Sequence, residues 1–561
     1  MKVYRSTVFY FILSLFTGII FSFLIFLPTC KAQQGEWTWM RGDSTFNSAG
    51  HYGEIGVTDS ANYPPARYSP TSWTDPDGNF WIYGGYGTSE FLGDMWRYNV
   101  NTNKWTWVFG TKTPNLPASY GVMGIPSINN FPGCRGWGGA SWVDADGDLW
   151  MFGGKGYGLN PNAPNMLADL WRYNILSNKW TWMKGNPEDT SHYGLFGVPD
   201  STKTPGSRME VTANWTDSTG LWFYGGTRDN HLKNDGNDMW RFDISTNSWE
   251  WMSGDTIANV LPNPGTQYVF AFTNTPGGRF AHCAWQDALG KFWMFGGHND
   301  LIGDDWADLW QYDPAINQWA WQSGSIDSTL GVSGALCDTS HNFYPKGRWE
   351  NRLAWIDDCD NLWLFGGQRT INSLNDLWVY STVKKIWSFA GGTLFTNNDG
   401  NYGKQGIPDV VNLPPSRMGA GAWQDEDGNF WLFGGSRTTA ANQFYSDLWK
   451  FKPDSLCPAG IECGIPTSII ETTEKDNPVV MVYPNPSQGI FMIEIPHVIS
   501  ENEAVIEIFN TLGNLVYSSS EIISSVDWRK EINLDAAVRG IYFIKIKTGK
   551  LNVTAKIFLT L

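Results

Sequence analysis

Two sets of residues in this 561-residue chain have types and spacings that could do chemistry. The first is six arginines, Arg67, Arg135, Arg208, Arg279, Arg348 and Arg417, each followed by an aspartate in an Asp-(Leu/Met)-Trp triplet: Asp94, Asp169, Asp238, Asp308, Asp376 and Asp447. A guanidinium forks onto a carboxylate or another oxyanion through two parallel N–H donors. The arginines therefore allow a binding site for an anion or a glycan, or a structural pair with their own aspartates. The second set is His282 and His298 with Asp300, Asp304 and Asp305, which offers imidazole and carboxylate ligands for a divalent metal; a polar loop without metal is the alternative. Asp75-Pro76-Asp77-Gly78 and Asp144-Ala145-Asp146-Gly147 look like the start of a calcium loop, but no glutamate follows at the twelfth position, and a hairpin turn is required there. No nucleophile elbow, zincin helix or phosphate loop occurs. A pair of acids for glycoside hydrolysis remains open, because acids on separate elements obey no spacing rule.

The elements that must position these groups come from an internal repeat. An aromatic-aromatic-Gly-Gly signal places its first glycine at Gly84, Gly153, Gly225, Gly296, Gly366 and Gly434, at intervals of 68–72 residues. In each unit the arginine precedes a run ending in Trp (Trp73, Trp142, Trp215, Trp285, Trp355, Trp423). A tight turn and a second Trp-bearing run lead into Gly-Gly. A loop of variable length then leads to Asp-(Leu/Met)-Trp, and a last short turn to Trp-x-Trp, with Trp387-x-Phe389 in the fifth unit. Each run is short, aromatic and bounded by Gly, Asp or Asn, so each reads as a strand. Four antiparallel strands per unit make a sheet that must bury its faces against copies of itself. The sixth unit lacks its Trp-x-Trp, and the missing strand stands at the start, at Glu36-Trp37-Thr38-Trp39-Met40. The expectation is an all-β, six-bladed β-propeller over residues 33–452, closed by its N-terminal strand.

This pattern resembles the kelch repeat family, some members of which are similar to galactose oxidase. The units are longer than the usual kelch repeat, with 26–28 residues between the last strand of one and the next arginine. A galactose-oxidase likeness implies a copper set of two His, two Tyr and a Cys-linked Tyr. Only His282 and His298 fit the histidine part, and no Cys–Tyr partner is assignable.

Composition narrows the function classes. A net charge of −16 and a pI near 4.9 argue against nucleic acid. Of 33 tryptophans, 29 fall on the repeat pattern as packing material. Those off it within the repeats, Trp137, Trp306 and Trp349, are the candidate ligand platforms. Variable loops follow Gly-Gly, and the long connections reach the same end of the sheets, so that face is where recognition is expected. The repeated Tyr-Gly motif of the connections reads as a packed structural loop.

The chain ends carry addressing signals. Lys2 and Arg5 precede an uncharged apolar stretch, Val8 to Leu27, and Cys30-Lys31-Ala32 suits cleavage, so residues 1–32 read as a signal peptide. An uncleaved anchor and a lipoprotein site are the rival readings. No other stretch can span a membrane as a helix. Cys457 and Cys463 are the best disulfide pair; Cys134, Cys283, Cys337 and Cys359 read as buried, unpaired thiols. After a linker at 453–478, residues 479–561 read as a small Ig-like β-sandwich. Tyr483-Pro484-Asn485-Pro486, Asn510-Thr511-Leu512-Gly513, Gly540-Ile541-Tyr542 and Lys556-Ile557-Phe558 closely resemble the type A sorting domain of the type IX secretion system. That resemblance implies a Bacteroidota-type bacterium, partnership with the secretion machinery, and release or display at the cell surface. The function expected is recognition of an extracellular glycan or protein, with no required cofactor. The alternative is a carbohydrate-active enzyme (oxidase, hydrolase or epimerase) with its site at the channel mouth.

Overall fold

The computed structural model describes residues 35–453, apart from residues 219, 327–329, 335–338 and 438–442, and, from residue 481, the strands and part of the turns of a second unit. Segment 1–32, the Cys457–Cys463 pair and residues 454–478 of the linker lie outside the described residues. The chain divides into two compact units, Met1–Glu462 and Cys463–Leu561. Among the described residues every regular element is a strand.

Each repeat folds as a four-stranded antiparallel sheet. In the second these strands are Ala140–Val143, Leu149–Phe152, Leu170–Asn174 and Lys179–Lys184. In the sixth, the fourth strand is Gly35–Arg41, paired antiparallel with Leu448–Pro453 so that Trp37 faces Phe451 and Trp39 faces Trp449. Sequence explains the strands: aromatic and β-branched residues suit a pleated, packed surface, and an Asp-led turn joins the first two. Asp75 Oδ1 accepts the N–H groups of Asp77 and Asn79, and its Oδ2 accepts the indole of Trp81 at 2.7 Å. The Asp-x-Asp-Gly turns are thus occupied as turn caps.

The first strands of the sheets neighbour one another. Thr71–Thr74 lies against Ala140–Val143 on one side and Gly421–Gln424 on the other. Indoles of Trp73, Trp142, Trp215, Trp285 and Trp355 each donate to a backbone carbonyl of the next sheet at 2.7–3.0 Å. From the sixth sheet to the first, Trp423 stacks on Phe80 with centroids 5.1 Å apart. A buried indole N–H usually finds an acceptor, and for these five tryptophans it lies in the next sheet.

The six arginines explain the Gly-Gly corner. Each is 0–2% exposed and forks onto its aspartate, with N···O distances of 2.5–2.8 Å in the shortest contact of each pair. A third guanidinium bond goes to the carbonyl of the first glycine, for example Arg67 to Gly84 at 2.8 Å and Arg417 to Gly434 at 2.9 Å. The second glycine donates its N–H to the arginine carbonyl of the following repeat: Gly85 to Arg135, Gly154 to Arg208, Gly226 to Arg279, Gly297 to Arg348, Gly367 to Arg417, and Gly435 back to Arg67, at 2.8–3.0 Å. A side chain at Gly84 would strike the Arg135 carbonyl, and its φ of +62° is unfavourable for other residues, so glycine is required twice over.

Each aspartate also accepts the indole of its Asp-x-Trp partner at 2.7–2.8 Å. In four repeats a connection tyrosine adds its hydroxyl: Tyr52, Tyr120, Tyr193 and Tyr402, at 2.6–2.8 Å. Burial pushes Asp94 up, but Arg67 and the hydrogen bonds from Trp96 and Tyr52 outweigh it and hold the carboxyl below its ordinary range. The same balance takes Asp238 down to about 2.

The long connections also brace the outer sheet edges. Thr58–Asp59 pairs with Lys104–Thr111, Thr339–Ser340 with Ile386–Gly391, and single bridges join Ser127 to Trp180, Asp200 to Trp249, Ala271 to Trp319 and Asp409 to Trp37. An uncovered edge is a template for pairing with another chain; this is the physical use of the extra length. Cys134 and Cys283 are free and buried, whereas Cys359 is disulfide-bonded, which corrects the expectation of an unpaired thiol there.

The second unit has two sheets, Met481–Tyr483/Ile490–Pro496/Asp527–Asn533 and Leu515–Ile523/Asn502–Asn510/Gly540–Lys547/Asn552–Leu559. Alternate residues from both, including Phe491, Ile493, Ile506, Ile508, Ile544 and Ile557, form one core.

Removing one partner of a buried ion pair strands the other. Asp169→Asn is expected to cost about 3–5 kcal/mol in urea unfolding, and Arg135→Lys, which cannot fork, to cost a comparable amount. Asp238, lowered from 3.8, contributes stability that is full above its unfolded value and lost as pH falls toward 2. Asp238→Asn should flatten that acid limb.

Candidate functional site

The residue after each arginine pairs with the residue after Gly-Gly, so two short segments per repeat meet at the loop end of the sheets. The pairs are Tyr68–Tyr86, Gly136–Lys155, Met209–Thr227, Phe280–His298, Trp349–Gln368 and Met418–Ser436. The backbone repeats here while the side chains do not, which is where a site can be specific.

The repeat-four set separates into two environments. His282 is fully buried; burial and the Arg279 charge push it down to about 3, so it is neutral at physiological pH. His298 is held by Asp305, 2.7 Å from Nδ1, and stacks on Trp349 with centroids 5.1 Å apart. Its Nε2 stands 3.7 Å from Asp300. The second oxygen of Asp305 accepts the Thr370 N–H at 2.7 Å. The Asp300 N–H donates to Asp235, which also accepts the Thr227 hydroxyl. Burial raises Asp235 to about 6 despite those bonds. Among the described residues no three His, Cys, Asp or Glu side chains group to hold a metal ion; the Asp304 side chain lies outside them. His298 with Asp305 and Asp300 is arranged for hydrogen bonding and proton exchange.

The six arginines are spent on the scaffold and present no guanidinium face to solvent. Of the three off-pattern tryptophans, Trp306 is 7% exposed and lies under Arg279. Trp137 is half-buried among Tyr86 and Phe91, with the Lys155 ammonium 4.2 Å from its ring centre. Trp349 is half-buried between His298 and Phe280. Two of the three are therefore partly exposed.

Sequence reasoning missed the most unusual cluster. The residue two after each arginine has a left-handed backbone: Ser69, Trp137, Glu210, Ala281, Glu350 and Gly419, with φ of +50° to +59°. These segments are bonded to each other across repeats, Glu210 N–H to Trp137, Ala281 N–H to Glu210, Gly419 N–H to Glu350 and Ser69 N–H to Gly419, at 2.6–3.0 Å. Two of the six positions hold carboxyls, and both are buried, at 3% and 4% exposure. Glu350 accepts the Tyr68 hydroxyl, Glu210 accepts Arg352 at 2.9 Å, and the two carboxyls interact directly. Burial, with the neighbouring Glu210 charge, raises Glu350 far above the carboxylate range; burial raises Glu210 too, against the pull of Arg352. Paired glycosidase carboxyls stand about 5 Å or more apart, so a directly interacting pair does not have that geometry. The sequence signal was available: register counted from the arginine, rather than from the tryptophan, puts Glu210 and Glu350 in one column with Trp137.

Residues 481–560 match the family model of the secretion system C-terminal sorting domain. No curated protein matches the chain. The match establishes that the protein is exported, secreted or displayed at the cell surface, and that its C-terminal unit engages the type IX secretion machinery.

Asp235, with its pKa raised, favours the folded state when protonated; its contribution is full below the ordinary aspartate value and lost as pH rises through about 6. Asp235→Asn should therefore remove a fall in thermal stability between about pH 4 and pH 6, read by calorimetry across that window.

Proposed function

We propose that residues 35–453 form a six-bladed kelch-type β-propeller closed by the N-terminal strand, and that it serves outside the cell as a recognition module for a glycan or protein. The cyclic order of the Gly-Gly to arginine hydrogen bonds, with Gly435 returning to Arg67, supports the closed reading. A Bacteroidota-type source fits the sorting domain.

One observation carries the recognition role. Trp137 and Trp349 break the packing pattern, stay partly exposed, and stand at the loop-face mouth beside groups that donate and accept hydrogen bonds: Lys155 by the first, His298 with Asp305 and Asp300 by the second. Aromatic faces covering apolar surface, with a few placed polar groups for orientation, are how small-ligand sites are built. A neutral glycan suits that combination, since its C–H faces pack on indole and its hydroxyls pair with carboxylate and imidazole.

The second reading, a carbohydrate-active enzyme, is favoured by one feature, the buried Glu210–Glu350 pair bonded through its backbone to Trp137. The close approach of the two carboxyls suits proton transfer of the epimerase kind and not glycoside hydrolysis. A proton-sharing acid pair can serve as general acid and base.

The test is a glycan-array screen of the secreted chain with time-resolved product analysis of every binder. Binding without turnover, weakened about tenfold or more (about 1.4 kcal/mol) by Trp137→Ala or Trp349→Ala, is the expected result. Product formation abolished by Glu350→Gln would move the protein to the second reading. Binding indifferent to both tryptophans would overturn the mouth as the site.

A further inference from the structure

We propose that Tyr68, Glu350, Glu210 and Arg352 form a proton-held plug across the axis, closing the loop-face mouth from the cavity behind it, and that the plug loosens when the carboxyl pair loses its shared proton. The inference rests on the cyclic reading of the six repeats given above.

The plug joins repeats that are not neighbours. Tyr68 belongs to the first, Glu210 to the third, Glu350 and Arg352 to the fifth, so their contacts cross the axis. The remaining repeats make room. A side chain at Gly138, in the second, would collide with the Arg352 guanidinium, and one at Gly419, in the sixth, with the Tyr68 ring. Ala281 stands at the matching place in the fourth. The titratable and charged groups acting on the pair are Tyr68 and Arg352; Gly138, Ala281 and Gly419 bring no charge.

Behind the plug lies a cavity of about 370 Å³, lined by residues of the innermost strands, among them Ser72, Ser141, Asn214, Thr216 and Gln286. Glu210 precedes Asn214 by four residues on the same segment. Tyr68, Glu210, Glu350 and Arg352 all precede the first strands of their repeats, which puts the plug on the loop side of that lining. Mouth, plug and cavity therefore follow one another along the axis.

Charge counting supplies the switch. Two carboxyls share one guanidinium in a space closed to solvent. A second negative charge would have no partner, and buried like charges are not both ionised. One proton held between Glu210 and Glu350 satisfies the site and keeps Tyr68 and Arg352 bound to opposite ends of the pair. Both carboxyls are raised, so the folded state binds this proton more tightly than the unfolded chain. The contribution is full below the ordinary glutamate value and is lost as pH rises through the raised one. Above it, repulsion between the two carboxylates parts the third and fifth repeats at the axis. The cross-repeat bonds of the Ser69, Glu210 and Gly419 amides sit on the same turn and loosen with it.

The experiment uses the full secreted chain. In infrared difference spectra at neutral pH, a protonated-carboxyl band should be present in the wild type and absent from Glu350→Gln. Hydrogen exchange of segments 67–71, 208–213 and 417–421, corrected for intrinsic base catalysis, should lose about tenfold of its protection as pH rises from the ordinary glutamate value through the alkaline range. In Glu350→Gln and Glu210→Gln protection should stay flat. A wild type with no protonated band, or with flat protection, overturns the plug. A Glu210→Cys/Glu350→Cys variant tests the geometry beneath it by disulfide formation between the two thiols on mild oxidation, read by mass spectrometry. Failure to cross-link would overturn the meeting of repeats three and five, and the cyclic reading with it; cross-linking with flat wild-type protection would overturn the plug alone.

Discussion

Everything else in the repeat unit hangs on one interaction, a fully buried guanidinium forked onto a fully buried carboxylate. Two desolvated charges are costly unless every donor and acceptor is used. Here the guanidinium also bonds the first Gly-Gly carbonyl, and the carboxylate also accepts an indole and, in four repeats, a tyrosine hydroxyl. The requirement reaches outward from there. Gly-Gly must be side-chain-free so that the arginine can lie across it and the next repeat's arginine carbonyl can approach. The Asp-x-Trp spacing returns an indole to the same carboxylate. The Tyr-Gly motif of the long connection is tied to the same centre, which is why that connection is patterned although it lies between sheets.

A scaffold so constrained leaves variation only where the backbone repeats and the side chain is not used by the pair. The column two residues after each arginine is such a place, since its left-handed backbone turns the side chain away from the Arg–Asp centre. It holds Ser69, Trp137, Glu210, Ala281, Glu350 and Gly419, five residue types at one geometric position. Glu210 and Glu350 meet there, Trp137 opens to the mouth beside them, and the two small neighbours leave space. Repeats four and five, which lack the connection tyrosine, also carry His298, Trp349, Glu350 and Arg352. The least regular repeats therefore supply most of the groups gathered at the mouth.

Much of this was legible in the chain. Gly-Gly periodicity, the Arg and Asp columns and the displaced Trp37–Trp39 strand follow from hydrophobic and turn patterning, because each reflects a local backbone demand repeated six times. The Arg–Asp partnership could be read because only a side-chain-free corner lets that side chain through. The acid pair was not legible in that way. Glu210 and Glu350 are 140 positions apart, and nothing local to either says that they face each other; that depends on how the repeats pack on one another. The histidines failed for the opposite reason. His282 and His298 are near in sequence, but Phe280 pairs with His298 while His282 passes two residues further into the core, so proximity along the chain places them in different environments. Cys359 likewise could not be classed from its neighbours, since its bonding depends on a residue brought to it by the fold.

The central claim is that each Arg–Asp fork is one coupled structural unit rather than two groups that happen to be near. A double-mutant cycle on Arg348→Met and Asp376→Leu, followed by equilibrium unfolding at neutral pH, tests it most directly. Each single change strands a buried charge, whereas the double change leaves an apolar contact in its place. The account predicts that the double variant is more stable than either single one, with a coupling of about 2 kcal/mol or more. Additive losses in the double variant would contradict it.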